Sequence, residues 1–290
     1  MDTKKNSELV TNATGGVYHL NLHSNEIADN IILVGDPGRV KKVSSYFDKV
    51  EVHKENREII TETGYYRGVP ISVISTGMGT DNIDIVVNEL DVLANFNLES
   101  KTEKKDKKTL NLIRIGTCGA LRSDIPLNTP IISRYTIGLD GLLYFYDTPT
   151  HVLNPDLADK FSEFTNWNKN LPKIYGCKSS ESLDIKFDEK FLRGITITAP
   201  GFYGPQGRNI RLPLKYPELN SKMGNFEYKN CKVSNMEMES SALYGLGQSL
   251  GHNTITICIA IANRANGEFI SDYSKGMENL ITSVLNSLTE

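Results

Sequence analysis

Short apolar runs alternate along the chain with segments whose apolar residues recur at helical spacing. Near the N-terminus, Asn30–Val34 predicts a buried strand, and Arg39–Phe47 predicts the helix that follows it. Near the C-terminus, Thr254–Ile261 predicts another strand and Tyr273–Leu288 another helix. This alternation indicates an α/β fold in which a central mixed, largely parallel sheet is flanked by helices.

The rest of the chain follows the same alternation, and no Pro/Gly/Ser-rich linker interrupts it. We therefore predict a single domain over residues 1–290, with a loose N-terminal arm at residues 1–14 and a charged surface insert at residues 99–108. Further strands are predicted at Glu58–Thr61, Val69–Ser75, Leu110–Ile115, Pro130–Ser133 and Gly194–Thr198, further helices at Asp81–Phe96, Leu157–Trp167 and Ser240–Leu250, and antiparallel pairs at Tyr65–Ile71 and Pro130–Tyr146.

Composition narrows the classes of function. The net charge of −3 argues against a nucleic-acid-binding surface, which is normally basic. No apolar run approaches the roughly 20 residues that a membrane helix needs, and the polar start of the chain has no hydrophobic signal segment, so we expect a cytoplasmic protein without membrane contact. The four cysteines are scattered and read as reduced thiols. His19 and His23 stand four residues apart without an evident third ligand, so no metal site is predicted.

The predicted strand Leu110–Ile115 contains an unexpected charge. Arg114 places a guanidinium in a buried strand, which is costly unless an anion or a carboxylate meets it. Gly116, Thr117 and Gly119 predict a sharp turn directly after the strand. Ligands of open α/β sheets bind beyond the carboxyl ends of strands, where such a turn offers N–H groups to an oxyanion. We therefore predict a phosphate site at Arg114.

A second turn of this kind, Gly35–Arg39, follows the first predicted strand. Its glycines let the backbone approach a ligand, and Arg39 stands in the first turn of a helix, whose N-terminus favours anions. Such turns are also common without any ligand. Two arginines at two strand ends are more informative than one, since both can hold a single phosphate.

The loop Gly201–Arg211 is the third candidate. Phe202 offers a stacking face, while Gln206 and Arg208 offer an amide and a guanidinium that suit the carbonyl and imide edge of a nucleobase. The alternative is a surface turn in which Arg208 is merely solvated.

The fourth candidate is Asn235–Ser241, a predicted strand that runs into a helix. Glu239 can accept hydrogen bonds from a diol, and Met238 offers a soft apolar surface to a sugar. A glutamate at a helix start is equally favoured by the helix dipole alone, and spacing leaves both readings open. A dinucleotide site is disfavoured, because Gly77–Asn82 ends in asparagine where the fingerprint needs glycine.

Together and in this order, these motifs resemble the nucleoside phosphorylase family, and specifically the uridine phosphorylases. The resemblance extends from Tyr18-His19-Leu20 to the C-terminal helix. Its pieces are Gly35-Asp36-Pro37 with Arg39, Arg57-Glu58, Ser75–Gly79, Arg114–Thr117 with Gly119, Phe202-Tyr203 with Gln206 and Arg208, Glu237–Ser240, and Asn263-Arg264.

The resemblance implies phosphorolysis of uridine to uracil and ribose 1-phosphate, with inorganic phosphate as co-substrate and no cofactor. It implies a homodimer as the minimal unit, with a hexamer as the larger alternative, in which Arg57 and His19 reach the neighbouring subunit's site. The implied phosphate ligands are Gly35, Arg39, Arg57, Arg114 and Thr117, the ribose ligands His19, Met238 and Glu239, and the uracil ligands Phe202, Gln206, Arg208, Gly119 and Ile261, with catalysis by Arg114, Gln206, Arg208 and Glu239.

The choice of base is also implied by the resemblance. Purine-handling relatives resemble one another in carrying an Asp after the late strand, whereas this chain reads Ile261-Ala262-Asn263-Arg264. Together with Gln206 and Arg208, this favours a pyrimidine. A purine phosphorylase or a nucleosidase of the same fold is the enzyme alternative, and a catalytically silent nucleoside-binding protein is the non-enzyme alternative.

Overall fold

The computed structural model describes residues 3–187 and 191–289 of the chain. Its strands are β1 Asn30–Val34, β2 Lys49–Asn56, β3 Ile59–Tyr66, β4 Val69–Ser75, β5 Phe96–Asn97, β6 Thr102–Glu103, β7 Asn111–Ala120, β8 Pro130–Gly138, β9 Tyr175–Lys178, β10 Leu192–Thr198, β11 Glu227–Tyr228, β12 Cys231–Glu237, β13 Asn253–Asn263 and β14 Glu268–Phe269. Its helices are α1 Pro37–Ser44, α2 Thr80–Asn95, α3 Pro155–Thr165, α4 Glu181–Asp184, α5 Leu219–Gly224, α6 Ser240–Ser249 and α7 Ser274–Ser287, with 3₁₀ turns at Leu142–Phe145 and Gly204–Gln206.

The central sheet closes partly on itself. Its strands run in the order β12-β10-β8-β13-β7, and β12 returns to pair with β7 through Asn235 opposite Ala120 and Met236 opposite Gly119. These strands form a closed ring, from which the sheet continues outward as β1-β4-β3-β2. Strands β4, β1, β7 and β13 are parallel, whereas the β2-β3-β4 edge is antiparallel. The predicted α/β class with a mixed sheet is confirmed.

Helices cover both faces of this sheet, because successive strand residues point to opposite sides. On β1, Ile31 and Leu33 belong to one apolar cluster, together with residues of α2 and α6. Their neighbours Ile32 and Val34 belong to another, together with residues of α1 and α7. This two-sided burial explains why the central strands read as continuous apolar runs. In the described part of the chain, no helix combines the length and apolarity that crossing a membrane requires.

The predicted turn after Arg114 is wrong. Strand β7 continues through Gly116, Thr117 and Gly119 and ends at Ala120, so Arg114 lies in the middle of the strand. Pairing with both neighbours overrides the local turn propensity of glycine, since Thr117 pairs with β13 and Gly119 with both β13 and β12.

The charged insert and the N-terminal arm lie against each other. Strand β5, just before the insert, pairs with β6 inside it as a short hairpin. The backbone N–H of Lys4 donates to the carbonyl of Lys101, and Nζ of Lys101 donates to the carbonyl of Leu9, whose side chain is buried. Within the predicted loose arm, Lys4 and Leu9 therefore contact the domain, while residues 1 and 2 lie outside the described residues.

Candidate active site

Arg114 is met by two carboxylates. Its side chain is buried, and its Nη2 donates to the carboxylate of Glu239. Its Nη1 lies 3.6 Å from Oε2 of Glu237 and donates to Sγ of Cys258 at 3.3 Å. Burial opposes the charge of Arg114, but Glu239, Cys258 and Glu237 together raise the pKa of its guanidinium above the ordinary value. The carboxylates thus supply the charge that the buried arginine requires.

Gly116 leaves the room that the guanidinium occupies. A Cβ at this position would lie 2.0 Å from Nη1 of Arg114 and 2.9 Å from Sγ of Cys258. Any side chain here would displace the guanidinium, so the glycine in β7 serves a close approach and not a turn.

Glu239 lies where strand β12 passes into helix α6. Its side chain is buried, and Oε1 accepts a hydrogen bond of 2.8 Å from the backbone N–H of Gly79, just before α2. Burial raises the pKa of Glu239, Arg114 opposes this shift, and the nearby Glu237 adds to it. The remaining acceptor capacity of this carboxylate is available to a ligand's hydroxyl groups.

Glu237, the last residue of β12, is buried beside Arg114, and the motif Glu237–Ser240 predicted no role for it. Its carboxylate accepts from the backbone N–H groups of Glu239 and Ser240, both at 2.9 Å to Oε2, and from the hydroxyl of Thr198 at 2.7 Å to Oε1. The available signal was its place two residues before Glu239, at the same strand end.

Three further predicted phosphate residues are Arg39, Gly35 and Thr117. Arg39, buried in the first turns of α1, donates from Nη1 to the carbonyl of Ile115 at 3.5 Å. Gly35 stands at the end of β1, where an added Cβ would lie 3.3 Å from the carbonyl oxygen of Gly77. Thr117 is half-buried on β7 itself. Arg39 thus contacts the residue that follows Arg114 in β7.

The predicted base-reading residues form one cluster. The guanidinium of Arg208 lies 3.6 Å from the ring centroid of the half-exposed Phe202, and its Nη1 donates to the Gln206 side-chain oxygen at 2.7 Å and to the Phe202 carbonyl at 2.6 Å. Burial and the charge of Arg264 lower the pKa of Arg208 to about 10, which leaves it charged at neutral pH. The cluster presents an aromatic face beside an amide and a cation.

Arg264 connects this cluster to β7. Its Nη2 donates to the carbonyl of Gly207 at 3.4 Å, and its Cγ would lie 3.4 Å from a Cβ placed on Gly119. Ile261, the other predicted base contact, is half-buried where β13 shifts its register between Ala260 and Ala262. Arg264 therefore joins the loop that carries Gln206 and Arg208 to strand β7, which carries Arg114.

Free volume lies next to the base-reading loop. A largely apolar cavity of about 640 Å³ is lined by Tyr203, Gly207 and Arg208, among others. Cavities of about 300–1,000 Å³ are typical of small-molecule sites. Within residues 3–187 and 191–289, no group of three or more His, Cys, Asp and Glu side chains could hold a metal ion.

Arg57 and His19 lie together on another surface. Arg57 is exposed at the turn between β2 and β3, and its guanidinium lies 5.9 Å from the ring centroid of Tyr18. The neighbouring Asn56 donates from Nδ2 to the carbonyl of His19, while Nδ1 of His19 lies 2.6 Å from Glu89. Met238, by contrast, adjoins Glu239 and is half-buried.

Known proteins are similar to this chain in sequence and in fold. A model of the phosphorylase superfamily matches residues 29–288. A uridine phosphorylase of Thermococcus kodakarensis is 31% identical over 261 residues, which cover 88% of this chain and 80% of the relative. A DeoD-type purine nucleoside phosphorylase of Clostridium novyi is 31% identical over 251 residues, which cover 86% of this chain and 89% of the relative. The crystal structure of a Trypanosoma brucei nucleoside phosphorylase with uridine phosphorylase activity matches with a TM-score of 0.85 and 30% identity, covering 97% of this chain and 99% of that one.

The chain belongs to the phosphorylase superfamily. Within it, the chain is a nucleoside phosphorylase, as its motifs predicted. Uridine and purine phosphorylases both occur among the relatives, so membership alone leaves the base open.

Proposed function

We propose that the protein cleaves uridine with inorganic phosphate, releasing uracil and ribose 1-phosphate. The observation that carries the choice of base is the cluster of Phe202, Gln206 and Arg208, which offers a stacking face and hydrogen-bonding groups to a planar imide. The likeness to uridine phosphorylases of Thermococcus kodakarensis and Trypanosoma brucei supports the same base.

The chemistry needs an anion beside the sugar and donors around the base. Phosphate held by Arg114 and Arg39 attacks C1′ of the ribose, a C–O bond forms as the C–N bond breaks, and the bonding electrons leave with uracil. Arg208 stabilises the negative charge that develops on the base, and the phosphate itself faces the positive charge that develops on the sugar. Glu239 accepts hydrogen bonds from the ribose hydroxyls. In this scheme phosphate is a co-substrate and no cofactor takes part.

A panel of nucleosides tests this proposal. Uridine, thymidine and inosine are incubated with and without phosphate while release of the base is followed. We expect uracil release that depends on phosphate. Preferential cleavage of inosine would assign a purine phosphorylase, which the Clostridium novyi relative makes the second candidate. Release without phosphate would indicate a nucleosidase, and no release a binding protein.

Gln206→Ala is expected to raise KM for uridine by about 10- to 100-fold, because a base edge loses its partner and Arg208 loses the acceptor that holds it. KM for phosphate should stay within about twofold, since the Arg114 cluster is untouched. Asn209→Ala, an exposed change in the same loop, is the control. Equal changes in both KM values would contradict the assignment of Gln206 to the base.

We also propose that the active form is at least a dimer, in which Arg57 and His19 of one chain complete the site of the other. The support is that these two residues adjoin on one surface of this chain, joined through Asn56 and Tyr18. A closed two-fold pair would use that surface on both chains.

Mixing two inactive variants tests this arrangement. Arg57→Ala and Arg114→Ala are each expected to lose activity, because each removes one phosphate ligand. If Arg57 serves the neighbouring chain, unfolding and refolding the two together restores about a quarter of wild-type activity, since random pairing leaves that share of sites intact in a dimer. No recovery from a mixture in which circular dichroism shows both variants refolded would place Arg57 in its own chain's site.

A further inference from the structure

We propose that Glu237 is a positioning residue that fixes Glu239 and Arg114 in the geometry which the reaction needs. The inference rests on the proposed function, in which Glu239 holds the ribose hydroxyls and Arg114 holds phosphate. It assigns a role to the buried carboxylate of Glu237, which contacts no substrate in the proposed reaction.

The first argument is the set of backbone contacts. Glu237 accepts from the N–H groups of Glu239 and Ser240, each 2.9 Å from Oε2. These N–H groups lie at the start of α6, where they have no partner within the helix. Glu237 therefore fixes the main chain that carries the Glu239 side chain.

The second argument is an anchor on the neighbouring strand. Oε1 of Glu237 accepts from the hydroxyl of Thr198 at 2.7 Å, and the same hydroxyl oxygen accepts from the N–H of Ser241 at 3.0 Å. Since Thr198 ends β10, the strand end, the carboxylate and the first turn of α6 form one connected unit. Glu237 and Thr198 are both buried, so loss of one of these hydrogen bonds would leave a buried polar group without a partner and lower the stability of the fold.

The third argument is charge. Arg114 lies between two carboxylates, with Nη1 at 3.6 Å from Glu237 and Nη2 bonded to Glu239. Glu237 thus faces the other terminal nitrogen of the guanidinium from the one that Glu239 binds, while its negative charge also competes with phosphate for Arg114. The contribution of the charge of Glu237 can be separated from that of its shape by replacing it with glutamine. Glutamine keeps an oxygen for the two N–H groups and can place its NH₂ against the Thr198 hydroxyl.

Two variants make this separation. Glu237→Gln removes the charge and keeps the shape, so we expect the Kd of the free protein for inorganic phosphate to fall by about threefold to tenfold, measured by calorimetry. Glu237→Ala removes the backbone contacts and lets Glu239 shift. We expect its kcat/KM to fall by about 100-fold for uridine but only about tenfold for 2′-deoxyuridine, which lacks one hydroxyl for Glu239 to hold.

Asp140→Asn is the matched control. Asp140 is a half-buried carboxylate that is also bonded to α6, through the Ser241 hydroxyl at 3.3 Å, and it accepts from Tyr175 at 2.8 Å. Its described contacts do not include Arg114 or Glu239. We expect neither the phosphate Kd nor the ratio of the two kcat/KM values to change in this variant.

The outcomes separate this inference from the proposed function. An unchanged phosphate Kd in Glu237→Gln would overturn the competition of the Glu237 charge with phosphate for Arg114. An equal loss for uridine and 2′-deoxyuridine in Glu237→Ala would overturn the positioning of Glu239, while wild-type uridine cleavage stands. If wild type cleaves a different nucleoside, the ratio is measured with that ribonucleoside and its 2′-deoxy form, and the phosphate Kd test is unaffected. A wild-type protein that binds no phosphate would overturn both.

Discussion

Arg114→Ala is expected to lower phosphate-dependent cleavage by about 1,000-fold or more in kcat/KM. The guanidinium is the buried cation between Glu237 and Glu239, and in the proposed reaction it both binds the nucleophile and neutralises it. The measurement is steady-state release of uracil across a range of phosphate concentrations. A rate within tenfold of wild type at saturating phosphate would refute the proposed mechanism.

The same substitution is expected to destabilise the fold by about 3–5 kcal/mol, because it leaves buried carboxylates without their cation. The stability argument is tested with Arg114→Ala/Glu239→Gln, which removes one of the stranded charges. We expect urea unfolding to show partial recovery of stability relative to Arg114→Ala. A double variant that is no more stable than Arg114→Ala would contradict this account.

Arg193→Ala is the matched control for this experiment. Arg193 lies on β10 and pairs with Asp184 at 2.8 Å, with further bonds to nearby carbonyls, away from the Arg114 cluster. Its loss should lower the free energy of unfolding and leave kcat/KM unchanged. This outcome would show that losing a structural arginine does not in itself abolish cleavage.

Glu239→Gln is expected to have the second largest effect, a loss of about 100- to 1,000-fold in kcat/KM for uridine. Glutamine keeps an oxygen for the Gly79 N–H but loses the charge that pairs with Arg114 and that strengthens bonds from the ribose hydroxyls. The loss should be smaller for 2′-deoxyuridine. An equal loss for both nucleosides would mean that Glu239 serves Arg114 and does not read the sugar.

The pH profile offers an independent measure of Glu239. Because burial raises its pKa, the ionised form is lost on the acid side at a pH above the usual glutamate range. The acid limb of kcat/KM for uridine should therefore lie above that range in wild type and disappear in Glu239→Gln. An acid limb that persists unchanged in the variant would assign it to another group.

The order of apolar and polar residues predicted those elements whose pattern lies in consecutive residues of the chain. The run Asn30–Val34 is β1 with the predicted bounds, and the predicted antiparallel pairing near Tyr65–Ile71 is the β3–β4 hairpin. The demand of Arg114 for a counter-charge was also visible, because burial of a guanidinium is costly in any fold. The structure meets this demand with Glu237 and Glu239.

What the sequence concealed depends on distant pairing. Glycines at 116 and 119 read locally as a turn, whereas their partners on β12 and β13, more than 100 residues away, hold them in a strand. The contacts of Glu237 were hidden for the same reason, since its anchor Thr198 comes from another strand. The short β5–β6 hairpin has too few apolar residues for the sequence pattern to predict its strands.

The closure of the sheet ring has a consequence for how the site can open. In the described residues, β12 meets the end of β7 at the pairs Asn235–Ala120 and Met236–Gly119 and at the bond from the Leu121 N–H to the Ser234 carbonyl. Arg114 lies on one side of this seam and Glu239 on the other. Fraying of these few hydrogen bonds would separate Glu239, the proposed sugar-binding carboxylate, from Arg114, the proposed phosphate-binding arginine, without unfolding the rest of the sheet. The rate of amide hydrogen exchange at this seam therefore measures how often the candidate site opens. Bound substrate that contacts residues on both sides of the seam should slow this exchange.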